Sequence, residues 1–366
     1  MINISGHIMS ADIPVVKIES GIVTDVNKEL APLYFLHSLD FTAWLESRAI
    51  DSHRTNSRLL KKALRLANKD DANTVLAVNA VTITDNYWFK EDSSTLTWED
   101  VRFKENYFDM LALRGDFDSF NRPPSRTPEL TNIGSFEKCW KLIDGKWWLY
   151  KTGNDFEYFS ELFIARLAEK LDFPIAKYEL DGKYVRTLDF TTGNEFNFES
   201  AESLVGDNEF YEINFNTFVN VSKEIASDYL KMIYLDTICY NVDRHTKNYG
   251  VLRDIKTGAI VSLAPNYDNN IALISRGYPS ATDRSNDKLI SLFFDLLNEN
   301  DKAKELFCEL QIPTITEDMI TECIAEIGIE VDKEIITEFI LNGQKIIFNQ
   351  LFGEDITESN NPIQSM

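Results

Sequence analysis

Between residues 138 and 188 the spacing of apolar positions changes period twice. Lys138 to Ile143 and Lys146 to Lys151 read as two short strands. Asp144-Gly145 between them supplies the positive φ that a tight hairpin turn requires. From about Glu157 to Leu171 the period becomes helical, with Phe159, Leu162, Phe163, Leu167 and Leu171 on one face. Ile175 to Leu180 and Lys183 to Leu188 return to strand-like spacing. From Phe215 onward the pattern is mostly helical. Helices are predicted over Ser222 to Cys239, Lys288 to Asn298, Ala303 to Leu310, Glu317 to Ile327 and Lys333 to Leu351. Short strand-like pieces interrupt them at Tyr249 to Leu252 and Ile260 to Ala264.

The first third has less order in its pattern. Residues 1–36 are irregular, with strand-like pieces at Pro14 to Ile18 and Gly21 to Val26. Asp40 to Leu66 turns helical, carrying Phe41, Trp44 and Leu45 and then Leu59, Leu60, Leu64 and Leu66. The basic residues interleaved with them (Arg48, His53, Arg54, Arg58, Lys61, Lys62 and Arg65) read as a solvated helix face rather than a surface for an acidic partner. An aromatic-rich segment from Tyr87 to Phe108 reads as core. Asn121 to Pro128, with three prolines, is the clearest linker. The expected organisation is an N-terminal module over 1–125 with no role assigned, a strand-rich portion over 126–205, a helical portion over 206–352 and a polar, disordered tail over 353–366.

Composition narrows the function classes. A hydrophobic content of 44% is enough for a real core, and no apolar run reaches membrane-spanning length. The start of the chain lacks a secretory-signal pattern. Cys139, Cys239, Cys308 and Cys323 are scattered among apolar residues without metal-ligand spacing, so zinc and disulfide frameworks are not expected and a cytoplasmic setting is. A net charge of −22 argues against general nucleic-acid binding, because a phosphate backbone needs a basic footprint. A nucleotide needs only a local positive pocket.

The chemistry concentrates in Asn241-Val242-Asp243-Arg244-His245-Thr246-Lys247-Asn248-Tyr249-Gly250, followed by Asn266-Tyr267-Asp268 after a strand. Two carboxylates and an amide on loops are what phosphoryl transfer needs. Asp243 would orient the attacking hydroxyl and accept its proton, while Asn248 and Asp268 would hold Mg²⁺ on the ATP phosphates. Asp and Asn are also common turn formers, so the spacing alone could mark a hairpin cap. The upstream residues favour the chemical reading. Lys151 ends an apolar strand, where its stem packs on the sheet and its ammonium reaches phosphates. Glu157 and Glu161 on the next helix are candidates to pair with it, and Glu161 is preferred because it lies on the apolar stripe. Thr131 to Lys138 has a single glycine, Gly134, but a Gly134-Ser135 turn opening into a strand can aim backbone N–H groups at phosphate oxygens.

Taken together, these residues resemble the HipA-like kinases, a bacterial family that includes toxin kinases of toxin–antitoxin pairs. The resemblance runs from Thr131-x-x-Gly134-Ser135-x-Glu137-Lys138 through Tyr150-Lys151 and Glu161 to Asn241-x-Asp243-Arg244-His245-x-x-Asn248 and Tyr267-Asp268. The catalytic loop is also similar to those of CtkA-type and phosphoinositide 3/4-kinases. The resemblance implies an α+β, bilobed, protein-kinase-like fold, with a β-rich small lobe at 126–205 and a mostly helical large lobe at 206–352. The N-terminal module is then an addition. It also implies an ATP- and Mg²⁺-dependent serine/threonine protein kinase with Asp243, His245 and Asn248 catalytic and Asn248 and Asp268 on the metal. Lys151, Glu161, Gly134, Ser135 and Lys138 then bind the nucleotide, Thr131 accepts an autophosphorylation, and the partners are a protein substrate and an antitoxin-like regulator. Two rivals stay open at this stage: a lipid or small-molecule kinase, and a nucleotide-binding interaction module without turnover.

Overall fold

Tight turns that need positive φ set the first sheet. In the computed structural model, which describes residues 4–353, β1 (Gly6–Ser10), β2 (Ile13–Glu19) and β3 (Ile22–Val26) form a meander. Its second turn is Ser20-Gly21, with φ of 51° and 81°. β4 (Tyr87–Glu91) adds antiparallel to β1, giving the order β3-β2-β1-β4. Residues 6–26 are therefore a sheet where the sequence reads as largely irregular.

Both faces of this sheet are covered, which explains the dense aromatic spacing. Ile8, Tyr87 and Phe89 pack on one side with Phe35, Phe41 and Trp44, whereas Met9 and Trp88 pack on the other with Phe103, Phe108, Trp140 and Trp147. A strand buried on both faces shows a continuous apolar run and loses the alternation by which strands are recognised. The segment expected to be helical from Asp40 to Leu66 holds two short helices, Phe41–Glu46 and Ser57–Ala63. Its basic residues are not all solvated. Arg48 and Arg54 are buried, because Arg48 pairs with Asp85 at 2.8 Å and Arg54 faces Glu129.

β5 (Lys138–Ile143) and β6 (Lys146–Lys151) form the expected hairpin, with φ of 49° at Asp144 and 75° at Gly145. β7 (Tyr178–Asp181) and β8 (Tyr184–Leu188) complete a sheet in the order β5-β6-β8-β7. A third sheet, β11-β10-β9, joins β9 (Phe196–Ser200), β10 (Gly250–Asp254) and β11 (Ile260–Leu263). Arg253 fastens it to the N-terminal residues, donating to Glu199 at 2.6 Å and to the carbonyls of Glu29 and Ala31.

The chain divides into two compact units. The first holds all three sheets, comprising residues 1–153, 176–207 and 249–265, and the proline segment 121–128 lies inside it. The second is helical and comprises 154–175, 208–248 and 266–366. Its helices are Asp155–Lys170, Tyr211–Val221, Lys223–Ile238, Lys288–Glu299, Asp301–Glu309, Glu317–Ile327 and Lys333–Phe352. Ser222, Asn300, Thr316 and Asp332 cap four of them by accepting a backbone N–H of the first turn. Each such cap stabilises its helix by about 0.5–2 kcal/mol. Tyr234 sits at the centre of the helical core, its ring against Phe173, Phe293, Phe307 and Phe348. Beyond Gly353, the tail expected at 353–366 falls outside the described residues.

Candidate active site

The candidate catalytic segment starts where helix Lys223–Ile238 ends. Arg284, wholly buried and stacked on Phe339 at 3.7 Å, donates to the carbonyls of Thr237 and Ile238 and so finishes that helix. Tyr240, in the left-handed region at φ 55°, turns the chain into Asn241 to Asn248.

One ion pair then organises the loops. Asp236, on the last turn of the helix, and Arg244 meet in a two-pronged contact of 2.8 and 3.0 Å, with both side chains buried. The remaining Arg244 donors reach the carbonyls of Asn248 and Tyr267 and the side-chain oxygens of Asn266 and Asn269, all within 2.6–2.8 Å. Burial pulls the Arg244 pKa down, and Asp236, joined by Asp268 and Tyr267, raises it, leaving the guanidinium above its ordinary value. Asn241 bridges the same groups through Asp236 and Asn269. Residues 241–248 and 266–269 are thereby fixed to each other. Asp268 is held in the left-handed region at φ 62°, a conformation uncommon for a residue with a Cβ.

Three sequence candidates converge here. Asp243 is half-buried, and its backbone N–H and C=O are taken by Asn241 Oδ1 and the N–H of His245. Burial raises its pKa, and the charge of Asp268 raises it further. His245, Arg276 and Arg244 pull in the other direction. Asn248 donates its side-chain N–H to the Asp243 carbonyl at 2.9 Å, which leaves the amide oxygen as the end available to a cation. An amide oxygen and a carboxylate are the hard donors that Mg²⁺ takes, with the rest of its shell supplied by phosphates and water. Among the described residues no group of three or more His, Cys, Asp or Glu is placed to hold a metal ion. His245 turns its Nδ1 back to accept the N–H of Lys247, at 3.3 Å, and so shapes the loop.

The nucleotide candidates, Glu161 apart, lie in the first unit. Lys138 and Lys151 are direct cross-strand partners at one end of the β5–β6 hairpin, adjoining the loop 132–137. In that loop Gly134 has φ 108°, and a Cβ built on it would collide with the Lys138 ammonium. Among the described residues the backbone N–H groups of Ile133, Gly134, Ser135 and Phe136 donate to no protein acceptor. Ser135 is exposed, whereas Thr131 is buried and donates to the carbonyls of Val81 and Pro128. Lys151 is buried, its ammonium 5.9 Å from the centre of the Tyr178 ring. Glu161, also buried, belongs to the second unit. Glu157, the other candidate beside it, is used in the cap of its own helix, accepting the N–H of Asn154.

The sequence alone assigns no role to Asp236, Asn266, Asn269 or Arg284. Asp236 left a signal, being a carboxylate inside the apolar run Met232 to Cys239 that demands a buried cationic partner. Arg284 left little, since it pairs with Asp287 three residues on, as a surface arginine also would, and its other partners are backbone carbonyls.

No protein-family model and no curated protein matches the chain. Solved structures do. A chain of the Shewanella oneidensis MR-1 toxin–antitoxin system HipA, HipB and operator DNA complex aligns with 93% of this chain and 96% of its own length, at 13% identity and a TM-score of 0.56. The Helicobacter pylori proinflammatory kinase CtkA aligns with 56% of this chain and 88% of its own, at 17% identity and a TM-score of 0.44. A match over 93% of the chain extends well into residues 1–125, so the N-terminal region is part of the shared architecture. The protein has a mixed α+β, HipA-like fold along nearly its whole length.

Proposed function

We propose that this protein is an ATP-dependent phosphotransferase that moves the γ-phosphoryl group to a serine or threonine hydroxyl of a protein. The observation that carries this reading is the buried Asp236–Arg244 pair, whose hydrogen bonds to the carbonyls of Asn248 and Tyr267 tie the segment that carries Asp243 and Asn248 to the one that carries Asp268. Such fixed loops suit a reaction whose catalysis is mostly positioning and electrostatics. In the proposed scheme Asp243 accepts a hydrogen bond from the attacking hydroxyl and takes its proton as the oxygen bonds to phosphorus. Its raised pKa makes it a better base than an ordinary carboxylate. Asn248 and Asp268 would hold Mg²⁺, which neutralises phosphate charge when bound. The backbone N–H groups of Ile133 to Phe136, with Lys138 and Lys151, would receive the phosphates, and Glu161 would pair with Lys151. The bilobed arrangement belongs to this proposal, with residues 126–205 in the small lobe and 206–352 in the large one. So does an antitoxin-like regulator, by analogy with the HipB found beside HipA.

Thr131 is the proposed autophosphorylation site. Its hydroxyl must first leave the carbonyls of Val81 and Pro128, so modification would need the segment Pro128–Thr131 to open. The deciding experiment incubates wild type and Asp243→Ala with γ-labelled ATP and Mg²⁺, with and without added protein substrate, and maps the label. Label on Ser or Thr in the wild type alone is expected. Bound ATP with no label on any protein would overturn protein phosphorylation and move the reading to small-molecule transfer or to a silent binding module.

A further inference from the structure

The loop 132–137 is gripped at both ends by one side chain from far away in the sequence. Arg54, in the turn before helix Ser57–Ala63, donates to the Asn132 carbonyl at 3.3 Å and also to the Lys138 carbonyl. Its guanidinium lies 3.6 Å from Glu129, and both side chains are wholly buried. Glu129 extends the grip, accepting the backbone N–H of Trp140 at 2.7 Å and side-chain N–H groups of Asn106 and Asn132 at 2.8 and 2.9 Å. Entry to the loop, exit from it and the strand beyond all hang on this pair.

A buried ion pair is a poor way to fill a core, since desolvating both charges offsets most of their attraction and apolar residues of equal volume do as well. What a guanidinium adds is geometry: fixed N–H directions toward two carbonyls six residues apart. In a trans peptide, C=O and N–H point in opposite directions. Turning the Asn132 carbonyl toward Arg54 therefore aims the N–H of Ile133 away from the buried pair, at the head of the run of uncommitted N–H groups. We propose that Arg54, held by Glu129, is a positioning residue that shapes the 132–137 loop for the phosphates of the nucleotide. This rests on the reading that the loop binds those phosphates.

The test compares the wild type with Arg54→Lys, which keeps the charge and loses the fork, and with Glu129→Gln, which keeps the shape and loses the charge. Calorimetry measures affinity for Mg-ATP and, separately, for adenosine, with circular dichroism and thermal melting to check the fold. Wild type should bind Mg-ATP, and each folded variant should bind it about tenfold or more weakly, the equivalent of about 1.4 kcal/mol. Affinity for adenosine should stay within about twofold, because the nucleoside has no phosphate to place. Equal weakening of both ligands, or no weakening, in whichever variant folds would overturn the positioning role and leave ATP binding standing. A wild type that binds adenosine and Mg-ATP equally, or binds neither, would overturn the phosphate-loop reading and the inference with it.

Discussion

Each unit of this protein has a buried arginine–carboxylate pair on which a loop hangs, Arg54–Glu129 in the first and Arg244–Asp236 in the second, and the two arrangements differ in how completely the arginine is used. Arg244 reaches six acceptors, two on Asp236 and four on the loops it joins. Arg54 reaches two carbonyls, lies 3.6 Å from Glu129, and has a buried Nε with no partner. At Arg244 burial is outweighed by Asp236 together with Asp268 and Tyr267 and the pKa rises, whereas at Arg54 burial outweighs Glu129 and lowers it. Burial likewise pushes Glu129 up to about 7, against the pull of Arg54 and the N–H groups it accepts. Six hydrogen bonds from Arg244 lock the segments 241–248 and 266–269, while the loop 132–137 takes two from Arg54.

The largest expected effect tests the locked side. Arg244→Met leaves Asp236 buried without its partner and frees the carbonyls of Asn248 and Tyr267. Breaking such a pair costs about 3–5 kcal/mol, a large part of the stability of an ordinary domain. Denaturant unfolding should show the loss, and transfer activity should vanish with it. The same change at Arg54 should cost less stability, because fewer hydrogen bonds are lost. If Arg54→Met proved the more damaging of the two, the contrast between the units would be wrong.

How much of this contrast was legible in the sequence differs between the two arginines. Arg244 stands inside a recognisable segment with Asp243 and Asn248, and the helix before it and the strand after it were readable from period alone. Arg54 sits in a basic run that looks like any solvated helix face. Its burial is decided by Glu129, 75 positions later, and no local pattern carries that pairing. The same limit hid the first sheet. β1 to β3 are closed by β4, 61 residues beyond β3, and the double burial of β4 removes its alternation. Hairpins and amphipathic helices announce themselves within a few residues, while buried polar pairs and sheet closure depend on distant partners.

A smaller effect is expected on the yielding side. Gly134→Ala places a Cβ at φ 108° and drives it against the Lys138 ammonium. Left-handed strain for a residue with a side chain is on the order of 1–2 kcal/mol, and the lysine must swing aside. Thermal melting should register a modest loss, and affinity for Mg-ATP should fall with it. An unchanged affinity would show that the Lys138 ammonium has no part in holding phosphate.

The smallest effect is a shift along the pH axis, and it reports on the locked site without breaking it. Asp243 acts as a base only when ionised, so transfer should rise with pH through its pKa, which burial and then Asp268 hold above the ordinary carboxylate value. Arg276, exposed on a neighbouring loop, lowers that pKa and so favours the ionised form. Replacing it by Ala removes the favourable charge, the pKa rises, and the acidic limb of the rate profile moves to higher pH. The displacement should stay below about one pH unit, since an exposed charge is screened by water and salt. Rates measured well above the limb should be unchanged, because the carboxylate is then ionised in both proteins. A limb that moved to lower pH, or a loss of rate equal at every pH, would show that Arg276 acts on the substrate or the phosphates instead of on Asp243.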